Sequence, residues 1–157
     1  MCYENFDQFK ADCKLAKQLG FEMNYLHEGC YEIAKRVCNG IGPSWFPAKL
    51  RKLIDKLNPT LKPVAQNHDL GYYYGRGTLG DFTRQNDAFA VNGVKAAKAR
   101  YKWYDVRRYW VIKQAAKFAA RCEAWGWPAY VAAIKERKAD EAAKVAAQST
   151  KEKEANV

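Results

Sequence analysis

Apolar residues recur at helical spacing along most of this chain, and no stretch stands out with the alternating pattern of a β-strand. The clearest example is the segment 48–57, whose apolar side chains fall at i, i+3, i+4 and i+7: Leu50, Leu53, Ile54 and Leu57. With 157 residues, the chain is long enough for one hydrophobic core. The sequence therefore predicts a mostly α-helical fold.

Glycine and proline divide the chain into helical segments. Two glycines and two prolines within residues 40–47 exclude regular structure, so a loop precedes 48–57. The predicted helices are two within residues 3–38 separated at Leu19-Gly20, one at 48–57, one at 64–74, one capped by Asp81 that begins at 82 and ends near 98 or continues to Cys122, and one from 129. We expect residues 1–147 to form one domain and the polar residues 148–157 to form a frayed tail.

The charge and cysteine content limit the partners and the compartment. A formal net charge of +10 favours anionic partners such as phosphate, nucleic acid or an anionic lipid surface. No apolar run approaches the length of about 18 residues that a transmembrane helix needs. The first residues lack the pattern of a signal peptide, and the 5 cysteines are irregularly spaced. We therefore expect reduced thiols in a protein made in a reducing cytoplasm.

The residues with the most chemical potential are His68 and Asp69, in the predicted helix 64–74. His68 shares an apolar face with Val64 and Tyr72, and Asp69 lies at the edge of that face. Upstream, Gly40-Ile41-Gly42-Pro43 can turn backbone carbonyls toward one point, and Ca²⁺ binds carbonyl and carboxylate oxygens. Asp69 can add the carboxylate to such a site.

A second acid, Asp87, has a place beside His68. It shares a helical stripe with Ala90 and Val91, and a carboxylate buried on such a stripe needs a partner. A carboxylate on one ring nitrogen of His68 would leave the other nitrogen as a base. The neighbouring Asn86 is the alternative partner if the helix is rotated. With Asp87 as the partner, Asp87→Asn should lower turnover more than Asn86→Ala.

The order of these motifs resembles the phospholipase A2 superfamily. Gly-x-Gly-Pro is followed by His-Asp-x-x-Tyr (His68, Asp69, Tyr72) and then by an Asp on the next helix, within roughly residues 38–98. The likeness is closest to the small branch without disulfides, found in parvovirus capsid proteins and in phage and bacterial relatives. A metal-dependent phosphohydrolase of the His-Asp type is excluded, since it needs several histidines and only His27 remains.

The resemblance implies a glycine-rich metal loop followed by two antiparallel helices that carry the site, flanked by further helices. Its expected activity is calcium-dependent hydrolysis of the sn-2 ester of phospholipids, with His68 as the general base. It also implies roles for other residues: Asp87 and Tyr72 as catalytic partners of His68, and Asp69 with carbonyls near Asn39, Gly40 and Gly42 as the Ca²⁺ ligands. A phage or viral origin, with virion proteins as partners, follows from the same likeness.

Two segments are candidate contact surfaces. Aromatic and basic residues of the first would suit an anionic membrane: Trp45, Phe46, Lys49 and Lys52. The alternative is that the lysines face water and the apolar residues of 48–57 face the core: Leu50, Leu53, Ile54 and Leu57. Residues 95–121 hold 9 basic residues against Asp105, interleaved with aromatics. That segment suits nucleic acid, a membrane, or a solvated helix face, and it supports the alternative function of a non-catalytic structural or nucleic-acid-binding protein.

Overall fold

A computed structural model describes residues 5–38, 41 and 48–155, without the side chains of 48, 50–52 and 152–155. These residues contain helices and no strands, so the fold is mostly α, as the sequence predicts. The seven helices are α1 (Phe6–Gln18), α2 (Tyr31–Val37), α3 (Ala48–Leu57), α4 (Lys62–Tyr74), α5 (Leu79–Arg100), α6 (Val106–Trp125) and α7 (Trp127–Ala155). None of the helices in these ranges combines the length and apolar character needed to cross a bilayer.

Helices α4 and α5 form an antiparallel pair at the centre of the fold. Leu61, just before α4, lies beside Gly93 near the end of α5, and Tyr72 lies beside Phe82 near its start. Both helices are buried over most of their length, because α1, α2, α6 and α7 pack around them. The antiparallel pair expected for the His/Asp site is therefore present.

Helix α6 packs antiparallel against α5 at very short distance. A Cβ atom on Gly93 would lie 2.3 Å from the Cβ of Ala115, and Phe89 contacts Phe118 one turn away. Small side chains at this crossing let the two backbones approach. The crossing brings the C-terminal turns of α6 next to the N-terminal half of α5.

The segment 21–27 corrects one sequence expectation. The second helix of residues 3–38 begins only at Tyr31, after a 3₁₀ turn at Glu28–Cys30. Two buried asparagines hold the preceding chain in an irregular path, with a turn at Glu22 and Met23. The Glu22 N–H donates to Asn92 Oδ1 at 2.7 Å, and the Tyr25 N–H donates to Asn67 Oδ1 at 2.8 Å. Tertiary hydrogen bonds here override local helical spacing.

Helices α5 and α7 also begin and end at residues that differ from those expected. The helix containing residue 82 is capped by Thr78, whose hydroxyl accepts from the Asp81 N–H. It ends at Arg100 and does not continue to Cys122, because residues 101–105 form a corner where Asp105 caps α6. Helix α7 begins at Trp127 and continues through most of the expected tail, to Ala155. Alanine, lysine and glutamate, which favour helix intrinsically, dominate that tail.

Candidate active site

His68 is buried in the middle of α4, with 6% of the residue exposed. Its ring lies between Tyr72, whose ring centroid is 4.2 Å away, and the edge of Phe89 on α5 at 5.4 Å. The Nε2 atom lies 2.9 Å from Oδ1 of Asn86. Two aromatic contacts and a hydrogen bond from the facing helix thus fix the ring plane.

Asn86 connects three helices at this point. Its Oδ1 accepts from the Tyr72 hydroxyl at 2.8 Å, in addition to its contact with His68. Its Nδ2 donates to Glu123 Oε2 on α6 at 2.5 Å. The other carboxylate oxygen of Glu123 accepts from the Thr83 hydroxyl at 2.9 Å. Both the oxygen and the nitrogen of the buried Asn86 amide therefore form hydrogen bonds.

This network determines which nitrogen of His68 carries the proton. Glu123 is exposed to solvent, and an ionised carboxylate only accepts, so the NH₂ group of Asn86 faces it. Oδ1 of Asn86 must then accept from both Tyr72 and His68, and it has two lone pairs to do so. Nε2 of His68 is consequently the protonated nitrogen in the neutral ring. Nδ1 then carries the lone pair of the neutral ring.

Asp69 lies on the Nδ1 side of the imidazole. Its Oδ1 is 3.9 Å from Nδ1 of His68, and its side chain is 22% exposed. Nδ1 of His68 therefore lies near a carboxylate that is partly exposed to solvent. A partly exposed carboxylate is also the kind of hard oxygen donor that Ca²⁺ prefers.

The other expected Ca²⁺ ligands lie outside the described residues: Asn39, Gly40 and Gly42. The chain on either side of Gly40 is anchored close to α4 and α3. The Cys38 thiol donates to the carbonyl oxygen of Gln66, and the Ile41 N–H donates to Asp55 Oδ1 at 2.8 Å. Among the described residues, no three His, Cys, Asp or Glu side chains are grouped to hold a metal. Any calcium site here depends on the loop carbonyls as well as on Asp69.

Asp87 does not occupy the place expected for it, because Asn86 faces His68 instead. Asp87 is exposed, and so is its stripe neighbour Val91. The larger side chains of Phe82 and Phe89 set the rotation of α5, because burying them removes more apolar surface than burying alanine and valine does. That rotation turns Asp87 outward and leaves Asn86 in the core.

The expected membrane-contact segment is only partly described. Trp45 and Phe46 lie outside the described residues, as does the side chain of Lys52, while Lys49 is exposed. On α3, Ile54 packs on the core, but Leu53 and Leu57 are exposed. The alternative in which the apolar residues of α3 all face the core is therefore right for Ile54 and wrong for Leu53 and Leu57, and the side chain of Leu50 lies outside the described residues.

Sequence reasoning missed Glu123 altogether. It lies on α6, and only the antiparallel crossing of α5 and α6 brings it to Asn86. No spacing in the sequence indicates that contact. Asn86 itself had a signal: it falls at helical spacing between Phe82 and Phe89, so a polar residue on the buried face could be identified.

Two neighbouring groups are excluded as ionised nucleophiles. Burial raises the pKa of the Cys122 thiol to about 12, so it is not a thiolate at neutral pH. Burial also raises the pKa of the Tyr72 hydroxyl, which therefore remains a hydrogen-bond donor to Asn86.

Comparison with known proteins adds no relative: no family model, curated protein or solved structure matches this chain.

Proposed function

We propose that this protein is a calcium-dependent hydrolase of the phospholipase A2 type, which cleaves the sn-2 ester of phospholipids. The observation that carries the proposal is that the two ring nitrogens of His68 have different neighbours. Its Nε2 is engaged by the buried Asn86, while its Nδ1 lies near the partly exposed Asp69. This arrangement places Nδ1 3.9 Å from the oxygen of a partly exposed acid, which is longer than a hydrogen bond.

In this proposal His68 removes a proton from a water molecule at Nδ1. The Nε2–H stays on Asn86, which holds the ring in position as the positive charge develops. Tyr72 donates to the same amide oxygen and prevents the amide from rotating. General-base assistance of this kind contributes roughly 10²–10⁴-fold in rate.

Asp69, together with carbonyls of Asn39, Gly40 and Gly42, would hold the Ca²⁺. When bound, the ion would supply a Lewis acid for the phosphate and the ester carbonyl of the substrate. Asp69 lies beside Nδ1 of His68, so in this proposal the Ca²⁺ ligand and the nitrogen that accepts the proton are neighbours.

Glu123 is the negative charge that would stabilise a protonated His68, and the side chain of Asn86 lies between the two. Glu123 acts on the imidazole through the amide of Asn86. Because electrostatic interaction falls with distance, Glu123 stabilises the imidazolium less than a carboxylate in direct contact would. We therefore expect a functional but slow hydrolase.

The test is release of fatty acid from phosphatidylcholine, with and without Ca²⁺, by the wild type and His68→Asn. The second histidine, His27, is exposed, and His27→Asn provides a matched control. We expect Ca²⁺-dependent release that falls at least about a hundredfold in His68→Asn and is unchanged in His27→Asn. Release without Ca²⁺, or equal loss in both variants, would contradict the proposal.

The second candidate is a non-catalytic structural or nucleic-acid-binding protein that uses residues 95–121. It is favoured by the exposure of basic side chains in this segment, including Lys98, Lys102 and Lys117. Tight binding to duplex DNA that weakens steeply with salt, together with no hydrolysis, would support it.

A further inference from the structure

The corner between α5 and α6, defined here as residues 100–110, carries an unusual group of exposed apolar side chains. Val106 is 77% exposed and Trp103 is 71% exposed. The remaining exposed apolar residues of the corner are Tyr104, Tyr109 and Trp110. Five such side chains in one short segment form the kind of apolar patch that marks a contact surface.

The same corner is strongly basic. Asp105 is the one acid among residues 95–121, and it is engaged by its neighbour. Arg107 donates to both oxygens of Asp105, with Nε to Oδ1 at 3.0 Å and Nη2 to Oδ2 at 2.7 Å. The segment therefore has a large positive excess around the apolar patch, and the complementary partner is anionic.

The side chains favour a bilayer over nucleic acid as that partner. The most exposed member, Val106, is aliphatic and gives a base nothing to stack on. The rings of Tyr101 and Tyr104 already have cations of this chain over them, from Arg107 at 5.2 Å and Lys102 at 5.9 Å. Tryptophan and tyrosine with flanking lysine and arginine match the headgroup zone of an anionic membrane.

The corner also contacts the segment that follows α3. The Thr60 hydroxyl lies 3.3 Å from the Tyr101 hydroxyl, and Thr60 follows α3 by three residues. Leu57, the last residue of α3, is exposed. The chain that follows α3 thus contacts the first turn of the corner.

From these observations we infer that the α5–α6 corner docks on an anionic glycerophospholipid bilayer, with Trp103 and Trp110 entering the interface. The inference deepens the proposed function and rests on it for the identity of the lipid, since a phospholipid substrate lies in such a surface. It assigns the docking to a surface that does not include His68 or Asp69.

The test is sedimentation of the protein with vesicles of phosphatidylcholine alone or with added phosphatidylserine, in EDTA. The test variant is Trp103→Ala/Trp110→Ala, which leaves net charge unchanged. Trp125→Ala is the matched control, because Trp125 is equally exposed but lies at the far end of α6. We expect phosphatidylserine-dependent binding that falls at least about tenfold in the double variant and less than about twofold in the control.

Charge is tested separately with Lys102→Gln, which should weaken binding to phosphatidylserine vesicles about fivefold and leave phosphatidylcholine binding unchanged. Wild-type binding in the double variant, or equal loss in Trp125→Ala, would overturn the inference. So would failure to bind vesicles together with tight binding to duplex DNA.

Hydrolysis of a short-chain phosphatidylcholine below its micelle concentration separates this inference from the proposed function. The double variant should hydrolyse the monomeric substrate at the wild-type rate. His68→Asn should bind vesicles normally but not hydrolyse. Vesicle binding without any hydrolysis would contradict the proposed function and support the docking surface. Hydrolysis without vesicle binding would support the proposed function and contradict the docking surface.

Discussion

Glu123 accepts a hydrogen bond from the buried side-chain amide of Asn86, with 2.5 Å between Oε2 and Nδ2. The contact joins an exposed carboxylate on α6 to the amide that faces His68. It fixes which end of the amide points inward and, through it, which nitrogen of His68 is free. The orientation of the proposed base is therefore determined from outside the helix pair that carries the His-Asp motif.

Glu123→Gln should lower kcat about fivefold and leave KM unchanged. The glutamine oxygen can still accept from Asn86, so the geometry survives while the charge-assisted hydrogen bond is lost. Steady-state kinetics on monomeric substrate measures kcat and KM separately. Glu32→Gln, at an exposed position on α2, is the control and should keep the wild-type kcat. An unchanged kcat in Glu123→Gln would mean that the carboxylate has only a structural role.

Asn86→Ala should lower turnover at least about tenfold, and Asp87→Asn less than about twofold. The alanine leaves the Tyr72 hydroxyl and the Nε2–H of His68 buried without their acceptor, which also costs about 1–3 kcal/mol of stability for each group. This order is opposite to the one expected from the apolar stripe of Asp87. Kinetics and urea unfolding of both variants distinguish the two. A larger loss in Asp87→Asn would restore the sequence-based order.

The helices with strong local signals could be predicted from the sequence. Residues 48–57 form α3 with those bounds, and the helix expected at 64–74 is α4 with two more residues at its start. Both have regular apolar spacing, and Pro59 and Pro63 mark the connection between them. Here local propensity and tertiary packing agree.

The features that failed depend on contacts distant in the sequence. The irregular segment 21–27 is held by Asn67 and Asn92, which lie 42 and 70 residues from the backbone groups that they bind. Helical spacing alone also predicts that the Asp87 side chain faces the core. The burial of Phe82 and Phe89 fixes the rotation of α5 so that Asp87 faces solvent instead. Periodicity shows that a face exists, but packing decides which of two overlapping faces is buried.

Gly93→Ala should destabilise the fold by about 1–3 kcal/mol. The new Cβ would lie 2.3 Å from Ala115 Cβ, and a methyl group attached to a helix backbone has no rotamer by which to move away. Helices α5 and α6 would have to separate. Gly80→Ala is the control, because its Cβ meets nothing within 4 Å and alanine favours helix by up to about 1 kcal/mol. Urea unfolding should show opposite signs, and a neutral Gly93→Ala would refute the close crossing.

Asp69→Asn should abolish Ca²⁺ binding and leave the fold intact. The amide keeps an oxygen in place but loses the charge on which a hard cation depends. Calorimetric titration with Ca²⁺ measures the affinity, and circular dichroism checks the helix content. Asp87→Asn removes an equal charge from an exposed position and should leave the affinity unchanged. Equal Ca²⁺ affinity in Asp69→Asn and wild type would remove the metal assignment.

Asp140→Asn should destabilise the protein at neutral pH and have a diminishing effect in acid. The hydrogen bond from the Tyr73 hydroxyl, followed by that from Arg36, holds the pKa of Asp140 below its usual value. A carboxylate with a lowered folded-state pKa adds stability above its unfolded pKa of about 3.9. That stability is lost as the pH falls through the folded-state pKa. Urea unfolding between pH 7 and pH 2 should show the difference between wild type and variant shrinking toward zero.

The contribution of the tyrosine to this contact can be separated from that of the arginine. Tyr73→Phe keeps the ring but removes the hydroxyl that donates to Asp140. The pKa of Asp140 should therefore move back toward its usual value in this variant, although Arg36 still engages the carboxylate. We expect Asp140→Asn to have a smaller effect at pH 7 in the Tyr73→Phe background than in wild type. A stability difference that is independent of pH in both backgrounds would show that Asp140 acts only by packing.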